Sequence, residues 1–277
     1  MRSATVADVV QAMDARFPPR LASDWDAVGL VCGDPHGSVR SVLFAVDPVL
    51  AVVDEAMLLG ADMVITHHPL FLHGVHSVAA TTHAGRVVHT LLTHGIALFA
   101  AHTNADHAVD GVSDALAATL GLVEVSPLAP LDEDPDLGTG RVGILPYPSS
   151  LEAFADLVAT ALPATHHGVR VAGRLDSQVS TVAVCGGSGD AFLAEAAAVA
   201  DAYVTSDLRH HRALDHLAGG GCALLDVAHW AGEWPWLPVA ARQLADDLAA
   251  AGATVITHVS SIPTDPWTAH RGAPTER

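Results

Sequence analysis

Ala61-Asp62-Met63-Val64-Ile65-Thr66-His67-His68-Pro69 is the stretch on which the reading of this chain turns. The run up to Ile65 reads as a buried strand: it is short, apolar and closed by a proline. Packing explains two histidines at a strand's end poorly. Metal ligation explains them well, because neutral imidazole is a common ligand for zinc, iron, manganese and nickel. Pro69 disfavours helix at His68 and so holds that ring on an extended turn. Neighbouring strand residues point to opposite faces. Both rings can therefore serve one site only if the backbone turns between them, or if there are two metals.

The pattern returns later in the chain. Ala200-Asp201-Ala202-Tyr203-Val204-Thr205 aligns with Ala61–Thr66, and Gly221-Cys222-Ala223-Leu224 aligns with Gly95-Ile96-Ala97-Leu98. These last segments lead to Ala228-His229 and Ala101-His102, and each histidine is followed four residues on by an acid, Glu233 and Asp106. Periodicity predicts helices over 5–16, 49–60, 82–94, 111–120, 150–161, 189–199, 209–218 and 235–250. It predicts strands over 41–47, 61–66, 96–101, 141–146, 169–174, 180–185, 202–205, 222–228 and 254–259. Alternation of this kind means an α/β fold with largely parallel or mixed sheets, built from a weak internal duplication. The expected organisation is a first repeat over 1–123, a Pro-, Asp- and Glu-rich linker or surface loop over 124–140, and a second repeat over 141–277 whose C-terminal part packs back on the first. Ligands of open α/β sheets bind beyond the carboxyl ends of the strands. The expected metal site accordingly lies in the cleft between the repeats.

Composition removes several classes of function. With 277 residues, half of them hydrophobic, the chain can bury a sizeable core. A formal net charge of −18 argues against a nucleic-acid surface, which needs a basic stripe. All 13 basic residues are arginine. No uninterrupted apolar run reaches the roughly 18 residues of a membrane span, and the N-terminus lacks a signal-peptide core. A cytoplasmic protein is expected. Cys32, Cys185 and Cys222 form an odd set without C-x-x-C spacing, which suits buried thiols in a reducing compartment.

The chemistry gathers at strand-to-helix turns: His67/His68, His102/Asp106, Thr205/Asp207/His210/His211 and His229/Glu233. Imidazoles with two carboxylates and no thiolate make a nitrogen/oxygen donor set. There are more donors than one tetrahedral ion uses, so the set points to two divalent metals bridged by a carboxylate. Glu233 is the expected bridge, beside the start of the 235–250 helix, whose positive end favours an anion. Each residue has an ordinary alternative. Asp106 could cap a helix, Glu233 could be a first-turn acid, and His210 and His211 could be solvated residues of a surface helix. The Cys185-Gly186-Gly187-Ser188-Gly189-Asp190 turn lacks a Walker lysine, and reads as a tight strand-to-helix connection before it reads as an anion cradle.

Six stretches resemble one family in the expected order: WDAVGLVCGD from Trp25, ITHHPLF from Ile65, HTNADHAVDGVSDALA from His102, VAVCGGSGD from Val182, TSDLRHH from Thr205 and DVAHWAGE from Asp226. That family comprises the GTP cyclohydrolase I type 2 homologues, the Ngg-interacting-factor-three-like dinuclear metal proteins. The resemblance implies two intertwined α/β repeats and a homohexamer. It implies two divalent ions per chain, held by His67, His68, Asp106, His229 and Glu233, with Glu233 bridging. It places His102 and the TSDLRHH histidines in the pocket, so His102 and His211 are the expected proton carriers. Two positions depart from the family pattern: Ala228 stands where glycine is common, and Ser206 replaces the glycine of Thr-Gly-Asp. The short stretch between 122 and 180 marks the compact form, without the inserted domain of longer members. The activity so implied is hydrolysis of a C–N or similar bond of a nucleotide-like or heterocyclic small molecule. The rival of another class is a metal-binding scaffold or regulatory partner without turnover.

Overall fold

In the computed structural model, which describes residues 2–272, two compact units are interleaved in sequence. One joins the residues up to Gly111 with Trp236–Thr264; the other joins Val112–Pro235 with the segment from Asp265 on.

The first unit starts with β1 (Arg2–Thr5) and α1 (Val6–Arg16), followed by β2 (Gly29–Cys32), β3 (Ser38–Val39), β4 (Ser41–Ala45), α2 (Leu50–Leu59), β5 (Met63–Thr66), α3 (His83–Thr93), β6 (Ala97–Ala100) and α4 (Thr103–His107). The second unit runs α5 (Val112–Thr119), β7 (Val123–Leu131), β8 (Asp134–Ser150), α6 (Leu151–Ala161), β9 (Val169–Ala172), β10 (Gln178–Ser188), α7 (Leu193–Val199), β11 (Ala202–Ser206), α8 (His210–Ala218), β12 (Ala223–Val227) and α9 (His229–Glu233). The chain then returns to the first unit with α10 (Trp236–Ala250), β13 (Ala253–Thr254) and β14 (Ile256–Val259).

The first unit carries a five-stranded sheet in the order β14-β4-β5-β6-β2, parallel except where β2 runs against β6. Alternate residues point to alternate faces. Leu43, Val64 and Leu98 form one apolar layer with Val52, Val53 and Ala56 of α2 and Val87 and Leu91 of α3. The intervening Phe44, Ile65 and Phe99 are equally buried, and α10 lies against β14 and β4. At the chain start, Thr5 and Asp8 form a reciprocal capping box on α1, with Thr5 Oγ1 accepting from Asp8 N at 3.2 Å and Asp8 Oδ2 accepting from Thr5 N at 2.8 Å.

The second unit holds a six-stranded mixed sheet in the order β7-β8-β10-β11-β12-β9, with β10, β11 and β12 parallel. The expected linker over 124–140 is instead sheet: it supplies most of β7 and the first part of β8, which pair antiparallel as a hairpin. Pro127 and Pro130 sit on β7, an edge strand, where a missing N–H donor is tolerated. A composition that looks like a loop is therefore compatible with pairing.

The duplication is visible in small devices. Asp62, ahead of β5, accepts from Arg40 N and Ser41 N through Oδ2; Asp201, ahead of β11, accepts from Ser180 N and Thr181 N through its own Oδ2. Gly33 follows β2 at φ 121°, and a Cβ there would meet Ala97 Cβ at 2.5 Å; Gly173 follows β9 at φ 144°, and a Cβ there would meet Ala223 Cβ at 2.9 Å. Both units thus use a glycine to let the antiparallel edge strand leave close beside its neighbour. Among the described residues no helix is long and apolar enough to cross a membrane.

Candidate metal centre

In the first unit the parallel strands β4, β5 and β6 end side by side and deliver Asp47, His67/His68 and His102. Pairing continues past the strand ends: His67 N donates to Ala45 O at 3.1 Å, and His68 N to Val46 O at 2.9 Å. The two rings stay neighbours, with centroids 5.1 Å apart. His102 joins them, its ring 5.1 Å from His67 and 5.5 Å from His68. All three offer a ligand nitrogen within 4.8 Å of the others. Asp106, in the short helix α4, places Oδ1 3.7 Å from His67 Nε2. Trp236 closes the back of His67, with ring centroids 5.6 Å apart, and packs edge-on against Phe17.

The orientation of each imidazole is fixed from behind. His67 Nδ1 donates to the Ala101 carbonyl at 2.9 Å, His68 Nδ1 to Asp47 Oδ1 at 2.7 Å, and His102 Nδ1 to Asp26 Oδ1 at 2.8 Å. Asp47 is held in turn by the Thr264 hydroxyl. Asp26 accepts from Thr103 N at 3.0 Å and from Thr103 Oγ1. Burial alone would raise the Asp26 carboxyl, but the bonds from Thr103 and His102 outweigh it and hold it below the usual range. Burial, reinforced by the neighbouring His67, pushes His102 below the ordinary imidazole value and keeps it neutral.

The second unit repeats the device once. His229 and Glu233 stand four residues apart on α9, one above the other on a single helical face. His229 Nε2 lies 2.9 Å from Glu233 Oε1, and its Nδ1 donates to Asp207 Oδ2 at 2.6 Å. That bond is the main cause of the lowered Asp207 carboxyl. Asp207 takes a left-handed φ of 57°, uncommon for a residue with a side chain, and such strain collects at functional sites. Gly187 adopts φ 67°; a Cβ there would fall 2.4 Å from Glu233 Oε1 and 3.1 Å from His229 Nε2. The glycine-rich stretch expected as a strand-to-helix turn is instead the irregular end of β10, up to Ser188, and there it makes room for the donors.

These residues fit divalent cations. In all four histidines the acceptor behind Nδ1 favours the tautomer with the proton on Nδ1 and the lone pair on Nε2, the arrangement of ligand histidines with an outer carboxylate or carbonyl. His229 Nε2 and Glu233 Oε1, 2.9 Å apart, are close enough that both would be available to one cation.

The sequence expectations need three adjustments. His102, which the spacing offered as a donor and the resemblance implied as a proton carrier, stands within the donor set of the first unit. Glu233 closes α9 and is not at the start of the following helix, because Trp234 and Pro235 separate it from α10. His211 lies on the exposed face of α8 with its ring 5.1 Å from His210, and outside the donor sets found among the described residues. Sequence reasoning missed the outer carboxylates Asp26 and Asp47, and placed Asp207 in a candidate set without giving it this orienting role. Asp26 and Asp207 lay inside quoted motifs, whereas Asp47 gave no signal beyond its place at a strand end.

The family model described as Duf34/NIF3 (NGG1p interacting factor 3) matches residues 4–266. A Streptomyces coelicolor protein named GTP cyclohydrolase 1 type 2 homolog is 52% identical, over 98% of this chain and 96% of its own. A Mycobacterium tuberculosis protein of the same name is 37% identical over 372 positions, covering 96% of this chain and 97% of its own; it therefore carries inserted sequence that this compact chain lacks. Among solved structures, a Bacillus cereus protein related to NIF3 superposes with a TM-score of 0.90 at 26% identity, over 97% of this chain and 100% of that one. A Staphylococcus aureus hypothetical protein does so with a TM-score of 0.88 at 28% identity, over 96% and 99%.

Proposed function

Since the chain belongs to the Duf34/NIF3 (NGG1p interacting factor 3) family, we propose that it is a cytoplasmic metal-dependent hydrolase of a nucleotide-like or heterocyclic substrate, and that His67, His68, Asp106, His229 and Glu233 hold two divalent ions. The observation that carries this reading is the common orientation of the imidazoles, each with Nδ1 anchored from behind so that Nε2 faces the other donors of its set. The names of the relatives support the substrate class.

Divalent cations held there would supply Lewis acidity and lower the pKa of water. The chain's own residues do the rest. His102 is kept neutral by burial and has its Nδ1–H fixed by Asp26, so Nε2 is the atom able to take up a proton at neutral pH. His211, in contact with solvent, serves as the second proton carrier. Trp236 and Phe17 form a dry wall behind His67. The assembly that goes with this reading is a homohexamer, to be read from the mass of the purified protein by light scattering.

The test is an incubation of the metal-loaded chain with GTP and a panel of nucleotides and heterocyclic amides, followed by chromatography. The expected result is one hydrolysed product, absent with Glu233→Ala. No product from any compound, with two ions still bound, would assign the chain to the rival class of metal-binding scaffolds.

A further inference from the structure

A second recess lies in the unit that carries His229 and Glu233. It is a cleft of about 510 Å³ whose wall includes His166, His167, Arg170, Asp207, Trp267 and His270. Asp207 belongs to both places: its carboxylate holds His229 Nδ1 and its side chain lines this cleft. A ligand in the cleft therefore lies one side chain away from a ligand histidine.

The wall has a definite chemistry. Arg170 is anchored: its Nε and Nη2 both donate to Oδ2 of Asp226, a carboxylate only 4% exposed. Asp226 is tied further by Leu208 N, and His167 Nε2 stands 3.3 Å from the same Oδ2. The guanidinium is thus held in one orientation, and no hydrogen bond among the described residues engages its Nη1. A fixed guanidinium edge is a recognition element for phosphate or carboxylate. His166 and His270 add imidazole donors, and among the described residues Asp207 is the one carboxylate in the wall. Trp267 is 64% exposed and offers a flat aromatic face at the same recess.

We infer that this cleft is a binding site for a planar ring bearing an anionic group, with the ring on Trp267 and the anion on Arg170 Nη1 and the flanking imidazoles. The inference rests on the proposed hydrolase reading for its purpose, since it makes the cleft the subsite that presents substrate beside His229. It does not rest on that reading for its existence, because no metal takes part in the binding.

The test follows tryptophan fluorescence and calorimetric heat as the full-length chain is titrated with adenosine 5′-monophosphate, nicotinate, adenosine and inorganic phosphate. Each titration is run with metal-loaded and with chelator-treated protein, so that anion bound by the metals is separated from anion bound in the cleft. The ring-plus-anion probes should bind under both conditions, adenosine and phosphate alone more weakly; the stronger of the two anionic probes tells phosphate from carboxylate. Trp267→Ala and His270→Ala, on an irregular segment away from the donors, should each weaken binding by about tenfold. Arg170→Lys, which keeps the charge beside Asp226 but loses the planar fork, should do the same. Metal content should stay unchanged in all three. Equal affinity in the wild type and all three variants, or no binding of any probe to the wild type, overturns the site. Loss of the metals from the wild type would instead count against the hydrolase reading and leave the cleft standing.

Discussion

Gly187 shows how narrowly single residues define the candidate centre. A methyl group there would enter the space of Glu233 Oε1 and His229 Nε2, on a backbone already in the left-handed region. Gly187→Ala should therefore lower the metal bound per chain, as read by elemental analysis, while circular dichroism stays unchanged. Asp207→Asn removes the charge behind His229 and leaves an acceptor in place. A weakening of metal affinity by about 10–100-fold is expected, the range typical for outer partners of ligand histidines, measured by competition with a chelator. Cys222 makes the opposite case, of a reactive group kept inert. Burial pushes its thiol up to about 11. At pH 8 it should alkylate about a hundredfold more slowly than an ordinary thiol, and normally after unfolding, as mass spectrometry of the labelled peptide would report.

At the scale of elements, the capping box of α1 makes a testable contribution. Thr5→Ala should cost about 1 kcal/mol in urea unfolding. The bonds from Arg2 and Thr5 hold the Asp8 carboxyl well below the usual carboxylate range. Its contribution is therefore complete above the unfolded value near 4 and fades as pH falls from there towards the lower folded value. The stability gap between the wild type and Asp8→Asn should shrink across that acid window. The same scale explains what the sequence made legible. The apolar runs of β4, β5, β6, β10, β11 and β12 are buried on both faces, so continuous hydrophobicity revealed them. The hairpin β7–β8 stayed hidden because its edge strand tolerates Pro127 and Pro130 and exposes much of its length. β1, β2 and β3 are no longer than β5 and β6 and, unlike them, are only partly buried, so no fully buried apolar run marked them. Among the candidate donors of the two units, His67, His68, His229 and Glu233 announced themselves by type and spacing. Asp47 and Asp26 did not, because an orienting carboxylate is recognised only by the ring it touches, and here those rings lie 21 and 76 residues away in sequence.

For the molecule as a whole, metal and fold should be linked. Ions that bind the native state alone add about 2.7 kcal/mol at a hundredfold excess over Kd. For a chain of this size that corresponds to a rise in Tm of roughly 5–10 °C. Calorimetry of stripped and reloaded protein would measure it, and Glu233→Ala should show a smaller rise. Synthesis order adds a further consequence. The second unit draws its sheet from one uninterrupted stretch, so a growing polypeptide can complete that sheet while still attached to the ribosome. The first unit cannot: β4 waits for β14, and β1 waits for β13, both encoded far downstream. Until translation passes residue 259, the earliest-made strands keep a bare edge, and this protein should lean on chaperones most heavily during that interval.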